Sequence, residues 1–266
     1  MTRKAAKPPL EQQVIWLIGA SSGIGEALVH QLADRCLQLV ISARNEDKLD
    51  QLSCKYQRIS SIVADVTDLA SMQQAARYIE DGFGRIDTVI INAGTCEYVD
   101  VQAFDSALFQ RVLDTNLMGT VHSIEVALPL LRNSQRGYLV GVASSVTYLA
   151  LPRAQAYGAS KAGMRYLLES MRADLASEQI DVSVVSPGFV KTPLTDRNDF
   201  PMPMRISADE AAVAIVKGLQ GRPWDIHFPK RFTRLMQWLA ALPACARLAI
   251  SRKTSTNSVK EASDER

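Results

Sequence analysis

Short apolar runs alternate with amphipathic stretches along most of the chain. Val14 to Ile18 is a continuous apolar run ending in glycine, the pattern of a strand buried on both faces. Leu37 to Ala43, Ile59 to Ala64, Ile86 to Ile91, Gly137 to Val142 and Val182 to Val185 repeat it. Between these runs the spacing predicts helices: one opening in Gly19-Ala20-Ser21-Ser22-Gly23-Ile24-Gly25 and running to about Asp34, then Glu46 to Tyr56 and Leu69 to Asp81. Two more helical stretches cross Asp105 to Arg132, and a long one runs from Ala154 to about Ser177. Strand and helix alternating in this way predict an α/β fold, a parallel sheet with helices on both faces. Ligands of such sheets bind beyond the carboxyl ends of the strands. The glycine turn, Asn92, Ser144 and Pro187 all fall there.

Composition narrows the class without changing the fold. The 266 residues are 47% hydrophobic and 22% charged, as in a soluble globular protein, and suit one domain with an ample core. A net charge of +2 gives no nucleic-acid signature. Cys36, Cys54, Cys96 and Cys245 are scattered and the histidines do not join them, which argues against a disulfide framework and a metal site. Residues 1–12 read as a flexible leader, because Glu11, Gln12 and Gln13 follow where a signal peptide would be apolar. The expected compartment is cytoplasmic.

The chemistry centres on Tyr157-Gly158-Ala159-Ser160-Lys161, which places a phenol and an ammonium one turn apart on a helix. An ammonium beside a phenol favours the phenolate and moves its pKa toward neutrality, which suits proton exchange with a carbonyl or alcohol oxygen. Taken alone, Tyr-x-x-x-Lys is also a common accident of helix composition. In the glycine turn, Gly19, Gly23 and Gly25 let the backbone approach a pyrophosphate, and the helix N-terminus supplies amide donors.

Five features then fall in one order and spacing: Gly19-x-x-x-Gly23-Ile24-Gly25, Asn92-Ala93-Gly94, Ser144 thirteen residues before Tyr157, Tyr157-x-x-x-Lys161, and Pro187-Gly188-x-Val190-x-Thr192. Over residues 13–228 they resemble the classical short-chain dehydrogenase/reductase family. The resemblance implies a Rossmann-type sheet of about seven strands and a tetrad of Asn116, Ser144, Tyr157 and Lys161. Tyr157 would exchange the proton and Ser144 would hydrogen-bond the substrate oxygen. Lys161 would lower the tyrosine pKa and bind the nicotinamide ribose, and Asn116 would hold a water linking Lys161 to solvent. Ser21 and Ser22 lie in the phosphate turn. Asp65 and Val66 would contact adenine, Asn92, Ala93 and Gly94 the adenine ribose, and Pro187, Gly188, Val190 and Thr192 the nicotinamide end.

NAD-preferring members carry a carboxylate after the second strand, where this chain reads Ala43-Arg44. A guanidinium there can pair with a 2′-phosphate, so NADP(H) is expected over NAD(H). Two positions depart from the family: Ile18 replaces a threonine and Ile91 an asparagine on neighbouring strands. Such a swap of both partners can be nearly neutral, and cofactor binding is expected to survive. The similarity also implies a homodimer or homotetramer, through the helices of Asp105 to Arg132 and Ala154 to Ser177.

The Pro-rich stretch from Gly188 to Arg205, with Leu194, Phe200, Met202 and Met204, reads either as an apolar lid over a hydrophobic substrate or as a loop packed on the domain. Ser207 to Glu210 reads as a capping box. Residues 230–250 form an amphipathic extension, with Phe232, Leu235, Met236, Leu239 and Leu242 at helical spacing among basic residues. Packing against the substrate side or a second subunit is the commoner use of such a helix, and peripheral contact with a membrane surface is the other. Residues 251–266 read as a disordered polar tail. The sequence thus predicts an NADP(H)-dependent oxidoreductase of a hydrophobic ketone, aldehyde or 3-oxoacyl substrate. Its rival is a non-catalytic NADP(H) sensor or scaffold on the same fold.

Overall fold

The protein is described by a computed structural model over residues 6–198 and 200–252. The first strand, β1 (Val14–Ile18), is followed by α1 (Gly23–Leu32), β2 (Gln38–Ala43), α2 (Glu46–Ser53), β3 (Ile59–Val63), α3 (Leu69–Phe83) and β4 (Thr88–Ile91). Helices α4 (Ser106–Leu113) and α5 (Gly119–Arg132) are joined by a π-helical turn, Asp114–Met118, before β5 (Tyr138–Val142). Then come α6 (Gln155–Asp174), β6 (Asp181–Pro187), the short β7 (Val190–Lys191) and β8 (Ile206–Ser207), α7 (Ala208–Gly221), β9 (Asp225–Phe228) and α8 (Lys230–Ala240). Seven parallel strands form one sheet in the order β3-β2-β1-β4-β5-β6-β9, while β7 pairs with β8 separately. This is a single-domain Rossmann-type fold.

Strand alternation explains the two layers. Successive side chains point to opposite faces. Ile15 and Leu17 of β1 therefore join one core with α1, α2 and α7, whereas Trp16 and Ile18 join another with α3, α5 and α6. A strand buried on both sides has no polar face, which is why the apolar runs were legible as parallel strands. Ile18 and Ile91 are register partners on β1 and β4, both essentially inaccessible. The departure from the family therefore packs apolar against apolar.

Several boundaries differ from expectation. Helix α2 stops at Ser53 and α6 at Asp174, while β4 begins only at Thr88 and β6 extends to Pro187. The seventh strand, β9, had no counterpart in the apolar pattern, because it is an edge strand that alternates half-exposed Asp225 and His227 with buried Ile226 and Phe228. The expected leader is docked over its described part: Leu10 is buried in a short 3₁₀ turn and Lys7 donates to the Gly221 carbonyl at 2.6 Å. Ser207 and Glu210 do form the reciprocal capping box of α7. The tail expected to be disordered lies, from residue 253, outside the described residues.

Asp181, at the start of β6, is held by two arginines: Arg136 Nε and Arg222 Nη1 each stand 2.9 Å from its Oδ2. Burial opposes ionisation, but the two guanidiniums outweigh it and keep the carboxyl below its ordinary value. Its stabilisation is therefore present above the unfolded carboxyl pKa and is lost as pH falls through the lower folded value. Arg222 is nearly inaccessible, so Asp181→Ala leaves a buried cation short of its partner. Partial hydration of the group moderates the loss to about 2–3 kcal/mol. Urea unfolding measures it, and a loss below ~0.5 kcal/mol would contradict this placement.

Candidate active site

A cleft of about 610 Å³ opens at the carboxyl ends of β1 to β4. Its first wall is the glycine turn between β1 and α1. Gly19 has φ +88°, and a Cβ on it would stand 2.5 Å from the Ala93 amide nitrogen. Gly25 does not line the cleft but is needed beneath it: a Cβ there would lie 2.0 Å from the Gly19 carbonyl oxygen and 2.7 Å from Asn92 Nδ2. Asn92 donates to that same carbonyl at 2.8 Å, tying the turn to the end of β4. Ser22 begins α1 without capping it through its side chain, which leaves the amide donors of the helix start beside the cleft wall formed by Ser21, Ser22, Gly23 and Ile24. This cradle fits a dinucleotide, because only backbone without Cβ can come that close and the donors suit a pyrophosphate.

Ala93 and Gly94, Asp65 and Val66, and Arg44 also line the cleft, as does Arg111, which pairs with Glu97 at 2.7 Å. The Arg44 side chain is 77% exposed, and its one ion pair among the described residues is a long 4.0 Å contact with Asp65. Ser42, the other polar side chain at the end of β2, is buried and accepts from Trp16 Nε1 at 3.0 Å. Arg44 is therefore the group at this corner that remains available to a second anion.

A smaller recess of about 110 Å³ shares Ile24, Asn92, Gly94 and Thr192 with the cleft. Ser144, Tyr157 and Lys161 converge on it from β5 and α6, opposite Pro187, Gly188 and Val190 from β6 and β7. Ser144 is extended at the start of a 3₁₀ turn, accepts from the Val146 amide at 3.2 Å and stands beside the Tyr157 side chain. Lys161 is buried and donates from Nζ to the Val142 carbonyl at 2.8 Å.

Burial dominates the titration of the tetrad. Tyr157 is raised above its ordinary pKa, first by burial and then by the neighbouring Cys96, with the Ser144 hydrogen bond opposing them. Burial lowers Lys161 to about 8, opposed by Cys96. Lys161 is buried and Tyr157 half-buried in the same recess, and desolvation outweighs the help one gives the other.

Asn116, in the π-helical turn, is fully buried outside the recess lining. Its Oδ1 accepts from the Thr95 amide at 2.7 Å, and its Nδ2 donates to the Thr95 carbonyl and to Ser160 Oγ, each at 2.9 Å. These bonds clamp the loop after β4 against α6 and occupy both hydrogens of the amide. A Cβ on Gly94 would meet Asn116 Oδ1 at 3.1 Å and Lys161 Nζ at 3.2 Å, so that loop passes tightly between them.

Reading by motif missed an aromatic cluster that ties the loop after β4 to the Pro-rich stretch. Tyr98 donates from its hydroxyl to Asn198 Oδ1 at 2.6 Å, joining the loop after β4 to the Pro-rich stretch. Phe200 meets the Tyr98 ring edge-on at 5.6 Å and lies 6.1 Å from Phe189, which is 5.4 Å from Phe232 of α8. The Pro-rich stretch thus packs on the domain, and its Leu194 lines both the cleft and the recess. Cys96 and Tyr98 follow directly on Asn92-Ala93-Gly94, and that adjacency to a recognisable strand end is the one signal the sequence offered.

A family profile described as short chain dehydrogenase matches residues 13–200. An uncharacterized oxidoreductase of Staphylococcus epidermidis is 30% identical over 211 residues, covering 79% of this chain and 92% of its own. The 11-beta-hydroxysteroid dehydrogenase 1A of Arabidopsis thaliana is 33% identical over 194 residues, 71% of this chain and 55% of that one. Among solved structures, a short chain dehydrogenase from Burkholderia cenocepacia in complex with NADP superposes with a TM-score of 0.80 at 26% identity, over 93% of this chain and 99% of the other.

Proposed function

The chain belongs to the short-chain dehydrogenase family and is an oxidoreductase; from that premise we propose that it transfers hydride between NADP(H) and the carbonyl carbon of a hydrophobic substrate. The observation that carries this reading is the convergence of Ser144, Tyr157 and Lys161 on a recess that shares its walls with a dinucleotide-sized cleft. The cofactor, when bound, supplies or accepts the hydride. Ser144 orients the substrate oxygen by a hydrogen bond, and Tyr157 gives it the proton that completes the alcohol. Lys161 supplies positive charge at the recess floor, and Asn116 acts as a positioning residue that fixes the loop above it.

NADP(H) is supported by Arg44, exposed and weakly paired at the end of β2, and by the NADP complex of the Burkholderia cenocepacia relative. A hydrophobic substrate is supported by Ile24, Val190 and Leu194 in the recess lining and by the packed rings of Tyr98, Phe189 and Phe200. A homo-oligomer formed through α4, α5 and α6 is supported by large apolar side chains left in solvent there, Met118 on the turn before α5 and Tyr166 on α6, the latter 78% exposed.

Loss of reduced-nicotinamide absorbance over a panel of hydrophobic ketones, aldehydes and 3-oxoacyl thioesters tests the proposal. Turnover with NADPH well above NADH is expected. Tight NADPH binding without turnover on any member would favour the sensor.

The pH dependence follows from the two shifts. Tyr157 stays protonated through the neutral range, so it remains a donor. The Lys161 charge is full below about 8 and lost as pH rises through it. Reductive kcat is therefore expected to decline above that pH. A profile flat to pH ~10, the ordinary lysine range, would contradict it.

A further inference from the structure

Helix α8 has two faces with different occupants. Phe232 and Met236 are buried against Leu149, with Phe189, Tyr148 and Leu239 packed around them, so the inner face is part of the wall behind the recess. The outer face carries Leu235 and Trp238, 46% and 63% exposed, with Arg231 and Arg234 beside them. At 3.6 residues per turn, Arg231, Leu235 and Trp238 fall on one stripe. A further helical stretch over 244–252 adds Arg247 and an exposed Leu248. From Ile226 to Arg252 the sequence has Lys230, Arg231, Arg234, Arg247 and Arg252 and not one aspartate or glutamate. No ion pair among the described residues engages Lys230, Arg231, Arg234 or Arg247.

We infer that this outer face docks on an anionic lipid surface, with Trp238 and Leu235 entering the interface and Arg231 and Arg234 meeting the headgroups. An exposed tryptophan flanked by arginines on an amphipathic helix suits the boundary between headgroup and acyl chain, where an apolar body and a nearby cation are both satisfied. A second copy is the poorer occupant: a two-fold contact would bring the face against itself and oppose its arginines to their own symmetry mates. No helix among the described residues is long and apolar enough to cross a membrane, so the contact is peripheral. Docking would also set the wall formed by Phe189 and Leu149 next to the lipid. That consequence, unlike the docking, rests on the recess being the substrate site.

The test floats the full chain on vesicles of phosphatidylglycerol mixed with phosphatidylcholine, and separately on phosphatidylcholine alone. The wild type is expected to float with the anionic vesicles only and to be released by high salt. Binding should fall on the order of tenfold or more in Arg231→Glu/Arg234→Glu and in Trp238→Ser. These side chains point outward, and thermal unfolding of the variants should match the wild type. Tryptophan emission should also shift to the blue on binding in the wild type and not in Trp238→Ser, where Trp16 and Trp224 remain. Absence of flotation, equal flotation on neutral vesicles, full binding by Trp238→Ser, or a Trp238-dependent dimer that ignores vesicles would each overturn the inference. Flotation does not depend on turnover, so this inference and the oxidoreductase reading fail separately.

Discussion

Tyr157→Phe is expected to lower reductive turnover by about three orders of magnitude while changing NADPH affinity only a few-fold. The substitution deletes one hydroxyl and keeps the ring that fills the recess wall, so the packing of α6 against β5 is preserved. What disappears is the proton donor beside Ser144. Water is a poor substitute, because the recess is small and lined largely by carbon. The loss belongs to kcat, since the hydroxyl acts as the substrate oxygen gains charge rather than when the dinucleotide binds. Steady-state kinetics beside a binding titration separates the two. A variant that kept a tenth or more of wild-type kcat would remove Tyr157 from the chemistry.

Arg44→Asp is expected to change the preference for NADPH over NADH by on the order of a thousandfold. Charge-assisted hydrogen bonds to a phosphate contribute roughly 1.5–3 kcal/mol, and a carboxylate in their place adds repulsion. The same carboxylate can accept from the ribose hydroxyls of NADH, which moves the ratio further. The side chain is 77% exposed, so the exchange should leave the fold unstrained. Nearby Asp65 would then face a second acid, but it remains held by the Thr67 amide and hydroxyl at 2.9 and 2.8 Å. The ratio of kcat/KM for the two cofactors measures the switch, and an unchanged ratio would place the 2′-phosphate elsewhere.

Different parts of the molecule were legible for different physical reasons. Strands β1, β2 and β4 to β6 announced themselves because burial on both faces leaves little but apolar residues. The glycine turn was legible because steric exclusion leaves no alternative to Gly19 and Gly25. Strand β9 was not, since Asp225 is there to bond Arg165 and Tyr148, a demand set by distant elements. Nor could spacing show that Asn116 would bond Thr95 and Ser160, because those partners come from another loop and another helix. The direction of the Tyr157 shift depends on how dry the recess is and on Cys96 beside it. Both are properties of the folded cleft and of no local pattern.

The most direct test of hydride transfer uses NADPH carrying deuterium at both C4 positions of the nicotinamide ring, with a hydrophobic ketone that supports turnover. Mass spectrometry of the product then reads where the label went. One deuterium on the new carbinol carbon, with formation of that product dependent on Tyr157, is the expected result. Product free of deuterium, or label retained in a tightly bound cofactor while every carbonyl is left unreduced, would contradict it.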